Sequence, residues 1–102
     1  MKESLENLPI TDHKEMMRFE LNVEGHIAFT EYERNGNRIF LIHTEVPKEI
    51  EGHGIAGALV EKILQHIEAN GWKLVPYCPY VQSYLRRHPD WKRILDQGIR
   101  VI

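Results

Sequence analysis

Ile39-Phe40-Leu41-Ile42-His43-Thr44-Glu45-Val46-Pro47 and, after a gap of three residues, Glu51-Gly52-His53-Gly54-Ile55-Ala56-Gly57 decide the fold of this chain. The first stretch is apolar at consecutive positions, Ile39 to Ile42, as in a central strand covered on both faces. Pro47 ends it by removing a backbone donor. Lys48 to Gly54 reads as a loop. From Ile55 the period changes: Ile55, Leu59, Val60, Ile63, Leu64 and Ile67 fall on one helical face, with Glu61, Lys62, Gln65, His66 and Glu68 on the other. Asn70-Gly71 fits a helix stop. Lys73-Leu74-Val75-Pro76 then reads as a short buried strand, and strand, helix, strand implies a right-handed parallel crossover.

Upstream, Met17, Phe19, Leu21 and Val23 alternate with polar residues, the period of a half-buried strand. Glu24-Gly25 looks like a tight turn, since glycine tolerates positive φ. His26 to Arg34, with Ile27, Phe29 and Tyr32, is a second strand of less clean alternation. Asn35-Gly36 signals a type I′ hairpin turn into a third strand, Arg38 to Val46. Downstream, Tyr80 to Arg87 gives one or two helical turns, and a second short helix is expected around Trp91 to Leu95, with Asp90 as its cap. Ile99 to Ile102 is either a last strand or a tail. The fold class is α+β: antiparallel hairpins leading into a β-α-β unit in a mixed sheet, with one or two short C-terminal helices.

The 102 residues suit one domain, residues 16–102, behind a polar lead-in, residues 1–15. The formal charge of −2 gives no reason to expect nucleic acid as a partner of the whole chain. No run of about eighteen apolar residues is present, so no membrane partner is expected. Met1 to Lys14 lacks the apolar stretch of a secretory signal. Cys78 is the only cysteine, which excludes an internal disulfide framework and suggests a reducing, cytoplasmic setting. The six histidines, among them His43, His53, His66 and His88, are scattered, so no metal site is expected.

The first turn of a helix carries N–H groups without internal partners and a partial positive charge. Gly52, Gly54, Ala56 and Gly57 are small enough to let a phosphate approach that backbone, so the loop is a candidate pyrophosphate cradle. It lacks the lysine and hydroxyl residue of a nucleotide-triphosphate loop and the spacing of a dinucleotide fingerprint. Spacing alone leaves an ordinary glycine-rich connection equally open.

The loop resembles the acetyl-CoA signature of the GNAT superfamily: Gln or Arg, two residues, Gly, one residue, Gly or Ala. Glu51, Gly54 and Ala56 take the matching positions, with Glu51 standing where Gln or Arg is usual. Tyr77-Cys78-Pro79-Tyr80-Val81, followed by Tyr84-Leu85-Arg86-Arg87-His88-Pro89-Asp90-Trp91, looks like the small single-domain GNAT-like subfamily of about 100 residues. The resemblance spans about residues 17 to 95. It implies a minimal GNAT fold that binds acetyl-CoA or CoA. The pantetheine arm would run along Thr44, Glu45 and Val46, and the strand at Lys73 to Pro76 would splay away to make the slot. The pyrophosphate would sit on Gly52, His53, Gly54, Ile55, Ala56 and Gly57, beside Glu51.

Cys78 could accept an acetyl group or lie against the thioester; as a bland alternative, a free cysteine is often a small buried apolar residue. Tyr84 lies where larger GNAT enzymes place the acid that protonates the departing thiolate, and Tyr80 could pack on the cofactor arm. His43 and Glu45 share a strand face and are the nearest candidate bases for an amine; Glu31 is weaker. Arg86 and Arg87 belong to a basic group, with Lys92 and Arg93, that could meet the ribose phosphate. Trp72 and Trp91 read as anchor aromatics.

The leading expectation is an acetyl-CoA-dependent N-acetyltransferase acting on an unidentified amine, protein or small molecule. Attack would be direct or through Cys78, with the oxyanion held by a backbone N–H near Val46. The alternative is a non-catalytic CoA or acetyl-CoA sensor or interaction module. A phosphate- or RNA-contacting module built on the basic group is a third reading. The short chain is compatible with a monomer.

Overall fold

In a computed structural model, which describes residues 4–102, the elements are β1 (Thr11–His13), β2 (Arg18–Val23), β3 (His26–Asn35), β4 (Arg38–Glu45), α1 (Ile55–Ala69), β5 (Lys73–Pro76) and α2 (Pro79–Arg87). Short 3-10 segments lie at Leu5–Asn7, Lys14–Met16, Lys48–Ile50 and Pro89–Ile94. The strands form one sheet in chain order. β1 to β4 pair antiparallel, and β5 pairs parallel to β4 through the α1 crossover. The fold is α+β with a mixed sheet.

The alternation in β2 places Phe19, Leu21 and Val23 in the core. Met17 does not join this strand. It sits just before it in the left-handed region at φ 51°, and its carbonyl accepts the Tyr32 N–H at 2.9 Å. In β3 the core face is Ala28, Thr30 and Tyr32, whereas Ile27 and Phe29 point the other way; the second face carrying apolar side chains is why the period looked blurred. β4 is covered fully on one face only: Ile39 and Leu41 are buried, and Phe40 and Ile42 are half-buried. The hairpin turn also differs from the I′ expectation. Asn35 pairs with Arg38 inside the ladder, and only Gly36 has positive φ, 62°. That is the pattern of a II′ turn, which places glycine at its first central position.

α1 begins at Ile55 and buries Ile55, Leu59, Val60, Ile63, Leu64 and Ile67, the positions its period predicts. Each such side chain contributes roughly 1.5–3 kcal/mol by leaving water. Truncating one, as in Leu59→Ala, costs about 2–5 kcal/mol because a cavity remains. Not all of the opposite face is solvated. His66 meets the Phe19 and Trp72 rings edge-on, each at 5.5 Å between centroids.

The polar lead-in contributes β1, which pairs with β2, and Leu5, Leu8 and Ile10 pack on the core; residues 1–3 fall outside the described residues. At the other end, Asp90 lies inside the 3-10 turn and caps nothing with its side chain. Ile99 to Ile102 form no strand. At the far edge of β5, Leu74 bridges Leu95 in parallel, and its carbonyl accepts the Asp96 N–H at 2.9 Å. Among the described residues no helix is long and apolar enough to cross a membrane.

Candidate functional site

β4 and β5 part company halfway along. Their pairing runs from Arg38↔Lys73 to Leu41↔Pro76, yet β4 continues to Glu45. The reason is local. Leu41 O accepts N–H groups from both Tyr77 (2.9 Å) and Cys78 (2.8 Å), so the chain pivots there and α2 starts at Pro79. A proline at the first position suits a helix start, where no N–H bond is lost. Beyond Leu41, β4 has β3 on one side and a wedge on the other. At the β3 side the register slips between Glu31 and Tyr32, leaving Ile42 as the extra residue on β4.

Side chains on β4 divide around this wedge. Thr44 faces inward: its Oγ1 lies 2.8 Å from Thr30 Oγ1 and accepts from Cys78 Sγ at 3.4 Å. Cys78 is a free, buried thiol, 2 % exposed. His43 and Glu45 face the opposite way, as alternation requires, with Nε2 and Oε1 3.4 Å apart; both are more than half exposed. Ile27, Phe29, Thr44, Glu45, Val46 and Pro47 line a groove of about 470 Å³ at this end of β3 and β4. Val46, the last residue before Pro47, packs partly buried against the core.

The glycine-rich loop lies at the start of α1. Glu51, Gly52, His53 and Gly54 are all exposed. Gly52 (φ 82°) and Gly54 (φ 73°) adopt left-handed backbone with open space where a Cβ would point, and Gly54 caps α1 without a side chain. Ile55 turns inward to the core, and Ala56 is half-buried. The N–H groups of this first turn have no helical acceptor. Gly57 faces α2: a Cβ there would make ordinary contacts with the Tyr80 hydroxyl at 3.6 Å and Tyr84 Cε2 at 3.9 Å. α2 therefore leans its two tyrosines on the first turn of α1.

Those tyrosines differ in circumstance. Tyr84 is buried, stacks on His88 at 4.2 Å, and donates its hydroxyl to Glu61 Oε1 at 2.5 Å. Burial first, then the Glu61 carboxylate, push its phenol far above the ordinary value of 10.0. Tyr80 is half-buried, with the Arg87 guanidinium over its ring at 5.7 Å and again over Tyr84 at the same distance. Arg86 donates to the Ile102 carbonyl, so it is engaged by the C-terminal segment. Arg93 grips Glu68 through two bonds, 2.6 and 2.9 Å, and covers Trp91 while remaining exposed to solvent.

The helical period puts Glu61 on the face of α1 opposite the apolar one, and there the structure gives it partners from α2 and the 3-10 turn that follows it. Its carboxylate takes hydrogen bonds from Tyr84, from Trp91 Nε1 (2.9 Å) and from Gln65 (3.1 Å). Desolvation alone would raise its pKa. The three hydrogen bonds and the charge of His88 outweigh it and hold the carboxyl below the ordinary 4.5. Nothing in the local sequence marks this residue, because two of its partners are 23 and 30 positions away. Thr30, the buried polar neighbour of Thr44, was likewise hidden, and only its place on the core face of β3 could have drawn attention to it. Of the remaining site candidates, Thr44 and Cys78 are in contact at the wedge, and Gly57 of the loop faces Tyr80 of α2. Arg86 is at the far end of α2, and His43 with Glu45 is on the other face. No group of three His, Cys, Asp or Glu side chains is placed to hold a metal ion among the described residues.

Comparison with protein families matches residues 18–94, most of the chain, to the profile described as GCN5-related N-acetyl-transferase.

Proposed function

The chain belongs to the GCN5-related N-acetyltransferase family, and from that premise we propose that it binds acetyl-CoA across the wedge and the α1 loop and passes the acetyl group to an amine. The observation that carries this reading is the divergence of β4 from β5 beside the start of α1. A strand edge free on one side offers backbone donors and acceptors to an extended amide-bearing arm. The exposed turn from Gly52 to Gly57, with its partnerless N–H groups, suits a pyrophosphate. The residues present therefore fit the cofactor.

Bound acetyl-CoA would supply an activated acetyl thioester. The chain's own residues do the rest. Backbone N–H groups at the free edge near Val46 are the donors for a developing oxyanion. Cys78, beneath that edge, would lie against the reacting carbon, or would form a new thioester by taking the acetyl group with release of the CoA thiol. His43 and Glu45, on the exposed face, are the groups able to take a proton from an incoming amine. Tyr84 keeps its proton, and its hydroxyl is committed to Glu61; we therefore assign it to holding α2 on α1. Tyr80 and Arg87 flank the loop and would line the cofactor. A cytoplasmic setting agrees with one free, reduced cysteine.

Calorimetric titration with acetyl-CoA and CoA tests this reading, with Ala56→Glu as the variant. A glutamate in the first turn suits the helix dipole, so the fold should hold, while its charge opposes a pyrophosphate. Wild-type binding that the variant loses is the expected result; absence of binding at millimolar cofactor would reject the proposal. Cys78→Ala then separates the routes, since direct attack survives it and transfer through the thiol does not. A second reading, binding without transfer, is favoured by the commitment of Tyr84 to Glu61. An amine screen showing no turnover despite binding would select it.

A further inference from the structure

Three polar groups run in a line beneath the free edge of β4. Thr30 Oγ1 and Thr44 Oγ1 are 2.8 Å apart, and Thr44 Oγ1 is 3.4 Å from Cys78 Sγ. Thr30 is fully buried, and it is the buried polar side chain of the core among the described residues. A threonine on the core face of a strand normally costs free energy unless its hydroxyl is bonded. Its partner here is Thr44, directly opposite in the β3–β4 register and one step from the slip at Glu31/Tyr32. The slip is what turns Thr44 inward: without the extra residue at Ile42, alternation from Ile39 and Leu41 would bring His43, not Thr44, to this face.

The hydrogens can be counted. With the thiol protonated, the line contains three hydrogens, one on each group, but only two contacts. One hydrogen therefore has no acceptor within the line. When the thiol proton has passed to water, two hydroxyl hydrogens remain for two contacts: Thr30 donates to Thr44, and Thr44 donates to the sulfur. The line is fully satisfied only in that direction.

We propose that Thr44 is a positioning residue for Cys78, oriented in turn by Thr30, and that this hydroxyl pair holds the sulfur at the wedge and reverses to donate to it when the thiol proton leaves. The assignment rests on the acetyltransferase reading only for its purpose; the contact itself is independent of any cofactor. A hydrogen bond to a charged acceptor is stronger than one to a neutral acceptor, so the Thr44 hydroxyl holds the sulfur more firmly once it carries charge.

Because Cys78 is the only cysteine, its S–H stretching band in the Raman spectrum is unambiguous. Thr44→Val, of the same shape, should move that band to the frequency of an unbonded thiol, and Thr44→Ser should keep it at the wild-type position. Modification of Cys78 by methyl methanethiosulfonate should slow about tenfold in Thr44→Val, recover in Thr44→Ser, and fall to an intermediate rate in Thr30→Val. Thr44→Ala repeats the test should the valine variant fold poorly. An unchanged S–H band in both Thr44→Val and Thr44→Ala, or modification as fast as wild type in both, overturns the proposal. Titration with acetyl-CoA on the same proteins keeps the two readings apart. Lost binding in the wild type rejects the acetyltransferase proposal and leaves the thiol result standing, whereas intact binding with an unmoved band rejects only the hydroxyl line.

Discussion

Glu61 shows how much one side chain on α1 can organise. Its carboxylate joins three elements: α1 that carries it, α2 through Tyr84, and the 3-10 turn through Trp91. The sign of its pH effect follows from its lowered pKa. The folded carboxyl ionises below the ordinary 4.5, so its stabilisation is present above that value and is lost as pH falls through the lower folded one. Glu61→Gln keeps the shape and one acceptor but removes the charge. It should lower stability at neutral pH by about 1.5–3 kcal/mol, the range for hydrogen bonds to charged groups. The urea midpoint measured against pH should then be flatter than the wild type's in the acid limb. Equal acid limbs in the two proteins would count against this role.

At the scale of an element, the start of α1 separates two uses of glycine. Gly52 and Gly54 occupy backbone that other residues adopt only with strain, whereas Gly57 is an ordinary helical position facing the tyrosines of α2. The added methyl of Gly57→Ala would make normal van der Waals contacts, at 3.6 and 3.9 Å. Since glycine inside a helix is about 0.5–1 kcal/mol worse than alanine, Gly57→Ala should stabilise by that amount. Thermal unfolding would show a rise of a few degrees, by about 4–8 °C per kcal/mol for a domain of this size. A lowered midpoint would mean that the α1–α2 contact is tighter than the distances indicate. Glycine substitution by alanine at 52 or 54 carries the opposite expectation, since φ there is positive.

For the whole molecule, Tyr32 ties the first strand to the sheet centre. Its hydroxyl donates to Asp12 at 2.6 Å, spanning from β3 to β1 past β2. Burial first, then the bond to Asp12 and its charge, push the phenol from 10.0 up to about 12. Between these values the unfolded chain has lost the proton that the folded one retains. Stability is therefore complete below 10.0 and declines as pH rises toward about 12. Tyr84 acts with the same sign. Chemical denaturation across this alkaline window should show a falling midpoint, with a shallower fall in Tyr32→Phe. A midpoint independent of pH there would show that these two phenols are not held as the structure has them.

The sequence by itself determined the elements whose signal is local and repeated. The 3.6-residue period fixed α1 and its six buried positions, alternation fixed the core face of β2, and Pro47 and Asn70-Gly71 marked where elements end. The glycine-rich loop and the tyrosine- and proline-bearing segment after β5 also pointed to the family, because such chemistry sits on short contiguous stretches. What the tertiary structure alone decided depends on residues far apart in the chain. The role of Glu61, the Tyr32–Asp12 tie and the meeting of Thr30, Thr44 and Cys78 each join side chains from separate elements. The turn at Gly36-Asn37 and the slip opposite Glu31 were decided by strand register, in which one extra residue sends every later side chain to the other face. Periodicity reports which face a residue occupies, whereas only the packed sheet and helices determine which groups meet on that face.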